Sequence, residues 1–333
     1  MTSASTTERI LRQTHAIRQP AGVGPGYWAG APGVYYWHEE RAFYVTYRIR
    51  RPRGVPPDRG GEARIARTTD LRHFEDIWSV TKDVYDTVSI ERGTIRRGAD
   101  GLWRYFISFV DSADGRWCVN VLKSSDPRRF QPANAHPLFT AGALGLEGVK
   151  DPWIFEDAGL YYMLLSVATP NARTREASHA TLDIFNTGDC LSATGLASSP
   201  DLDSWDWLGV VFAPSEQGWD GYCRRINSII RHDGRYVGFY DGSASHRENY
   251  EERTGLAMST DLRSWEPLTL SGPALISPHA SGSLRYLDAA SNEAGVWAFY
   301  EYARPDGSHE LRVAQLDVDR LARTFNGGER RAT

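Results

Sequence analysis

The chain has 333 residues, a formal net charge of −4, 11 Trp and 16 Tyr. An acidic balance without a long Lys/Arg run excludes a nucleic-acid footprint, and the lack of any apolar run of spanning length excludes a helical membrane protein. Three cysteines, Cys118, Cys190 and Cys223, are too few and too scattered for a disulfide framework or a zinc site.

The first 20 residues are polar and lack the apolar segment of a secretory signal, so a cytoplasmic protein with unpaired thiols is expected. Residues 1–30 read as a tail and lead-in, with helix-like spacing over Thr6 to Arg18. From there the chain repeats one pattern. Hairpins with an aromatic second strand fall at Ala42 to Ile49, Trp103 to Val110, Leu160 to Val167 and Arg235 to Asp241. Each is followed by a small or polar strand end, a turn centred on Asp70, Asp126, Asp201 or Asp261, and an aromatic that opens the next strand. A fifth hairpin, Ser283 to Tyr302, leads into the strand Glu310 to Asp317.

Four-strand units recurring at intervals of roughly 60 residues are the mark of a β-propeller. The spacing predicts one all-β domain over 31–318, a five-bladed β-propeller. Its blades fall near 32–82, 90–140, 149–214, 224–277 and 283–317, with an insertion in the third between about Thr169 and Leu191. Residues 319–333 read as a C-terminal tail, helix-like over Val318 to Arg323. The aromatics Trp103, Tyr161, Phe239 and Trp297 are assigned to packing between sheets.

In a propeller the first strand of each blade lines the channel, and the residues just before it stand at the mouth. Those stations are Ala31-Pro32, Glu91-Arg92, Lys150-Asp151, Arg224-Arg225 and Gly282-Ser283. Charges converging there from distant parts of the chain point to a ligand site. The competing reading is that they pair with one another and plug the pore.

The stretch Gly148-Val-Lys-Asp-Pro-Trp-Ile-Phe-Glu-Asp-Ala-Gly-Leu-Tyr-Tyr-Met-Leu-Leu-Ser166 resembles the Asp-Pro hairpin of the five-bladed propeller glycosidases, glycoside hydrolase families 43, 32 and 130. The repeated Ser/Thr-Asp-Leu-x-x-Trp/Phe turn is similar to their blade turns, and the resemblance spans about residues 30 to 318. Similarity of Gly148-Val-Lys-Asp-Pro152 to the Gly-x-Glu-Asp-Pro-Arg motif of family 130 implies that Asp151 is a proton donor. Ala31-Pro32 stands where families 43 and 32 carry a first-blade acid. Lys150 and Trp153 replace the Glu and Arg of the family 130 motif, which weighs against phosphorolysis.

Glycoside hydrolysis needs one carboxyl group to protonate the leaving oxygen and a second as base or nucleophile. Asp151 and Glu91, on adjacent blade entrances, are the expected pair, with Asp241 a further candidate. Arg92, Lys150, Arg225 and Arg285 are expected to orient hydroxyls or an anionic group. Asp288 and Glu301 are expected on the fifth blade, and Trp28 and Tyr36 are expected to stack on a sugar. No cofactor or metal is expected; the partner is a small glycoside or other sugar-containing substrate. Two other readings stay open: a tailoring enzyme of another class on the same scaffold, and a non-catalytic carbohydrate-binding propeller.

Overall fold

The computed structural model describes residues 5–329 and consists of five antiparallel units joined in chain order. A strand outside them in sequence, β1 (Leu11–Arg18), comes first. Unit one holds β2 (Trp28–Trp37), β3 (Ala42–Arg51), β4 (Arg59–Thr68) and β5 (Glu75–Thr81). Unit two holds β6 (Ile90–Arg97), β7 (Trp103–Val110), β8 (Trp117–Ser124) and β9 (His136–Phe139). Unit three holds β10 (Gly148–Asp157), β11 (Leu160–Pro170), β12 (Cys190–Ser199) and β13 (Asp206–Phe212). Unit four holds β14 (Cys223–His232), β15 (Arg235–Ser243), β16 (Arg253–Ser259) and the two-residue β17 (Glu266–Pro267). Unit five holds β18 (Leu284–Asn292), β19 (Gly295–Ala303) and β20 (His309–Leu316).

The fourth strand of unit five is β1, which pairs antiparallel with β20 from Leu11 opposite Leu316 to Arg18 opposite Leu311. This corrects the helix expected over Thr6 to Arg18. Only Thr6–Ile10 is helical, started by a capping box between Ser5 and Glu8. Without β1 the outer edge of β20 would expose unpaired N–H and C=O groups, and pairing satisfies both chains at once. The C-terminal helix appears as expected and runs over Val318–Glu329.

Three of the four Asp-centred turns, those at Asp70, Asp201 and Asp261, share one hydrogen-bond scheme. In the first, Thr68 Oγ1 accepts the N–H of Leu71 at 3.0 Å, and Asp70 Oδ1 accepts those of Arg72 and His73 at 2.9 and 2.8 Å. Ser199 with Asp201, and Ser259 with Asp261, repeat it. The following Leu71, Leu202 and Leu262 adopt φ of 60°, 68° and 67°, so local side-chain bonds hold a backbone that β-carbon sterics disfavour. Trp205 and Trp265 then donate their indole N–H to Leu202 O and Leu262 O.

The apolar core lies between units rather than within them. Tyr44 and Ile65 pack with Trp103 and Tyr105 between units one and two. Val119 packs with Val149 and Met163 between two and three, and Trp153 and Leu196 with Tyr240 and Trp265 between three and four. Phe239 and Leu256 pack with Tyr300 and Leu316 between four and five. Phe43 and Val45 pack with Phe299 and Val313, which returns the series to unit one. The first strands β2, β6, β10, β14 and β18 likewise touch in sequence, and β18 touches β2.

One buried ion pair ties these inner strands together. Arg92 of β6 donates from Nε to Pro32 O at 2.6 Å, from Nη1 to Asn227 O at 3.0 Å and from Nη2 to Asp288 Oδ2 at 2.8 Å. Asp288 also accepts the Val34 N–H and the Trp153 indole N–H, both at 2.8 Å. Removing one partner of such a pair strands the other charge. We expect Arg92→Met to destabilise the protein by about 3–5 kcal/mol in urea denaturation. Adding Asp288→Asn, which keeps an acceptor but removes the stranded charge, should recover part of that loss. No recovery would show that packing rather than charge dominates.

Candidate active site at the head of the inner strands

Every inner strand breaks register once with its second strand. The breaks fall between Gly30 and Gly33, Ile90 and Gly93, Lys150 and Trp153, Ile226 and Ser228, and Arg285 and Asp288. A bulge re-aims side chains and tightens local twist. Ala31, Asp151 and Tyr286 occupy the bulges of units one, three and five with φ of 52°, 55° and 52°. Glu91 and Arg92 occupy that of unit two. In units four and five the level of the bulge is reached at Asn227 and at Tyr286-Leu287, not at the expected Arg224-Arg225 and Gly282-Ser283. The expected pairs fall at the start of β14 (Cys223–His232) or just before β18 (Leu284–Asn292), whereas the bulge lies further along each strand.

Around this level runs a chain of alternating charges, almost wholly buried. Glu91 accepts from Arg50 at 3.3 Å and from Arg48 at 2.5 Å. Arg48 stands 3.7 Å from Glu301, which pairs with Arg285 at 2.6 Å. Arg285 reaches Glu252 at 2.7 Å, and Glu252 pairs in turn with Arg225. His309 bridges Glu301 at 2.8 Å and Glu251 at 3.0 Å. Gly30 is required here, because a Cβ on it would lie 2.0 Å from Glu301 Oε2. The Glu301 carboxylate thereby accepts the Ala31 N–H at 3.1 Å. It occupies space beside the first-strand position that lacks an acid of its own.

The carboxyl groups of the set differ in charge state. Burial raises the Glu91 pKa, but Arg48, Lys150, Arg50 and Arg285 outweigh it and hold the group at about 2. Burial likewise works against ionised Glu252, and Arg225 with Arg285 hold it at about 2. Asp241 goes the other way: burial, aided by Glu252 and only partly opposed by Arg225, pushes it up to about 7. Its Oδ1 accepts the Tyr286 N–H at 3.0 Å, and its Oδ2 has no hydrogen-bond partner.

Asp151 is buried beside Lys150, whose Nζ stands 3.2 Å from Oδ2 and over the rings of Trp117 and Phe185 at 5.2 and 4.9 Å. Neither Asp151 carboxyl oxygen receives a well-directed hydrogen bond. Arg48 Nη1, Arg225 Nε and Trp28 Nε1 are also buried without a partner. Native interiors leave few polar atoms unpaired, so several in one region mark a place built for polar contact. Tyr286 stands among them, its pKa raised well above the ordinary value by burial and by Asp151 and Glu91.

The structure therefore brings together Asp151, Glu91, Lys150, Asp241, Arg225, Arg285, Glu301 and Trp28. Trp28 stacks on His309 with centroids 5.0 Å apart and lies under Arg285 at 4.8 Å. Three expected residues are placed elsewhere. Arg92 and Asp288 spend their polar atoms on the inter-strand ion pair, further down the axis than the charge chain. Tyr36 lies near the far end of β2, eight residues past Trp28 and so roughly 26 Å along the strand, with its hydroxyl on Glu293 at 2.6 Å. The sequence reading missed Arg48, Arg50, Glu252, Tyr286 and His309. A signal existed: Tyr47-Arg48, Tyr240-Asp241 and Tyr300-Glu301 each put a Tyr-charge pair at the same level of a second strand, opposite Gly30, Arg225 and Arg285.

Three connections close over the cluster. Asp183, in the insertion between β11 and β12, accepts from Arg53 at 2.6 Å and from the Tyr250 hydroxyl. Asn186 donates to Tyr250 Oη at 2.5 Å and accepts from Asn249 at 2.6 Å. Beneath them Arg50 is sandwiched over Tyr250 at 4.4 Å and Trp28 at 4.8 Å. The segments before β4, within unit three and before β16 thus form one polar latch.

No family model matches the chain, and no curated protein is similar to it in sequence. Solved structures are similar in fold. A thermostable family-43 glycoside hydrolase superposes with a TM-score of 0.64 at 15% identity, over 90% of this chain and 92% of that one. A family-43 enzyme from Xanthomonas citri in complex with xylotriose gives 0.58 at 14% identity, over 90% and 89%. The β-1,2-mannobiose phosphorylase of Listeria innocua, in complex with β-1,2-mannobiose, gives 0.59 at 15% identity, over 92% and 95%. The chain thus has the fold of the propeller glycosidases, as the Asp-Pro hairpin and the blade turns implied.

The raised pKa of Asp241 has a consequence for stability. Between its ordinary value of 3.8 and about 7 the folded state binds the proton that the unfolded state has released, so this group makes stability fall as pH rises. Glu91 and Glu252, at about 2 against an ordinary 4.5, do the reverse: their contribution is full above 4.5 and is lost as pH falls toward 2. Asp241→Asn retains the bond from Tyr286 and should raise the melting temperature over wild type by an amount that grows from about pH 4 to pH 7 and then levels. A pH-independent difference between the two proteins would show that Asp241 is ionised throughout.

Proposed function

We propose that the five units are the blades of a five-bladed β-propeller and that the protein is a glycoside-processing enzyme acting at the head of its inner strands. The observation that carries this reading is the contrast around Tyr286. One carboxyl, Asp241, keeps its proton to about pH 7, while Asp151 is a buried carboxyl that stands 3.2 Å from the Lys150 ammonium and receives no directed hydrogen bond. Carboxyl groups whose environments differ in this way divide the roles of acid and base. Asp241 is assigned as the acid that protonates the leaving oxygen, and Asp151 as the carboxylate that activates water or attacks the sugar carbon. Glu91, held ionised by two guanidinium groups, is assigned to charge balance rather than to proton donation. Arg225, Arg285 and Lys150 orient hydroxyls. Substrate reaches these groups when the latch centred on Asp183 parts.

A second reading, phosphorolysis, is favoured by the unpartnered Arg48 Nη1 and Arg225 Nε atoms, which suit an anionic oxygen. In that reaction phosphate takes the place of water and the product is a glycosyl phosphate.

Turnover of a panel of aryl xylosides, arabinofuranosides and mannosides, with and without inorganic phosphate, tests both readings. Asp151→Asn and Asp241→Asn should each lower turnover by on the order of 10²-fold or more while the protein stays folded. Wild-type turnover should fall as pH rises through about 7, where Asp241 gives up its proton. Full activity in either variant overturns the assigned roles. Loss of every reaction with bound sugar retained would leave the carbohydrate-binding reading in its place.

A further inference from the structure

The inner strands end, at the face opposite the charge chain, around a cavity of about 360 Å³. Each inner strand contributes to its wall: Tyr35 of β2, Arg96 of β6, Phe155 of β10, Ile229 of β14 and Ala290 of β18. Trp153, bonded to Asp288, also lines it, so the Arg92–Asp288 pair lies between this cavity and the charged cluster.

Arg96 sets the cavity's chemistry. It is 8% exposed, with Nη1 donating to Ile95 O at 2.7 Å, Val34 O at 3.2 Å and Thr94 Oγ1 at 3.3 Å, and Nη2 donating to Ile154 O. All four acceptors are neutral. Among the described residues seven other arginines are buried, and each of the seven forms an ion pair with a carboxylate. Arg96 forms none. Burial lowers its pKa to about 10, and the attraction of Asp288 and Tyr35 offsets only part of that desolvation. Its guanidinium lies over the Tyr35 ring at 5.1 Å, which fixes the fork at the aromatic wall. Arg97, also on the wall, adds a second cation and stacks over Trp37 at 4.7 Å.

We propose that this cavity is a binding site for a small carboxylate that carries a six-membered ring, either an aryl carboxylate or a uronic acid. The ligand carboxylate would supply the counter-charge that Arg96 lacks, in the paired N–H···O geometry that a guanidinium favours. The ring would lie against Tyr35, Phe155 and Tyr161, since aromatic walls accept both aryl and sugar faces. The volume suits one such ring and falls in the range of small-molecule sites. The site is separate from the proposed catalytic groups and does not depend on their roles.

The test is calorimetric titration of the full chain with 4-hydroxybenzoate and with glucuronate, each beside its neutral counterpart, phenol or glucose. At least one carboxylate should bind about tenfold or more tightly than its counterpart, and whichever binds more tightly identifies the source. Arg96→Met should weaken binding about tenfold or more. Because that change is buried, two exposed rim changes accompany it. Glu156→Gln removes a competing carboxylate and should tighten binding by a few-fold; Ser291→Asp adds one and should weaken it by a similar factor. Asp151→Asn should bind as wild type does, whatever its turnover. Equal binding of the neutral counterparts, no binding of either carboxylate to wild type, or a folded set of Arg96 and rim variants with unchanged affinity would overturn the proposal.

Discussion

The ion pair between Arg92 and Asp288 is the contact on which the arrangement of the units depends. Its hydrogen bonds reach Pro32 and Val34 in unit one, Trp153 in unit three and Asn227 in unit four, while Arg92 and Asp288 themselves belong to units two and five. No other buried pair touches all five among the described residues. Units packed side by side by apolar clusters could slide or splay, because apolar contact is non-directional. A guanidinium and a carboxylate with fixed bond directions remove that freedom at the axis. Burying them is costly, and the cost is offset only because nearly every donor and acceptor is used.

That pair also separates two regions with opposite electrostatic character. On one side carboxylates and guanidinium groups alternate from Arg50 to Arg225, so charge is balanced group by group and what stands out is the few atoms left over: the Asp151 oxygens, Asp241 Oδ2, Arg48 Nη1 and Arg225 Nε. On the other side one buried cation, Arg96, makes no direct ion pair, and its burial is only partly offset by Asp288. The first region is suited to chemistry, because proton transfer needs acids held at different charge states. The second is suited to recognition, because an unbalanced charge in an aromatic pocket discriminates between ligands by sign.

Much of the fold was legible in the sequence because each unit repeats a local signal. The Ser/Thr-x-Asp-Leu turn carries its own hydrogen bonds, so it reads the same way at Asp70, Asp201 and Asp261 whatever surrounds it. The inner-strand level was legible where a proline marked it, at Pro32 and Pro152, and at Glu91-Arg92; it was displaced in units four and five, where Asn227 and Tyr286 carry no such mark. Strand β1 was misread because helical spacing at Thr6 to Arg18 is a local property, whereas pairing with β20 is set by a chain segment some 300 residues away. The site was legible in its acids and largely illegible in their partners. Arg48 lies on a second strand and Glu252 just before a third, and each reaches an inner-strand partner of the next unit, Glu91 or Arg285, only through packing of one unit on the next. Whether a charge is spent on holding the units together, as in Arg92, or keeps its oxygens free of directed hydrogen bonds, as in Asp151, is decided by geometry in three dimensions.

Completion of unit five by β1 imposes an order on biosynthesis. Residues 11–18 are made roughly 300 residues ahead of their hydrogen-bonding partner, β20. While units one to four are made, the segment waits as an unpaired edge beside units that already have neighbours. Unit five is completed only once β20 has been made, by a contact of very high sequence separation, the slowest kind to form. A nascent chain of this design therefore carries the strand that completes its fifth unit ahead of the other four, exposed to mispairing until β20 appears.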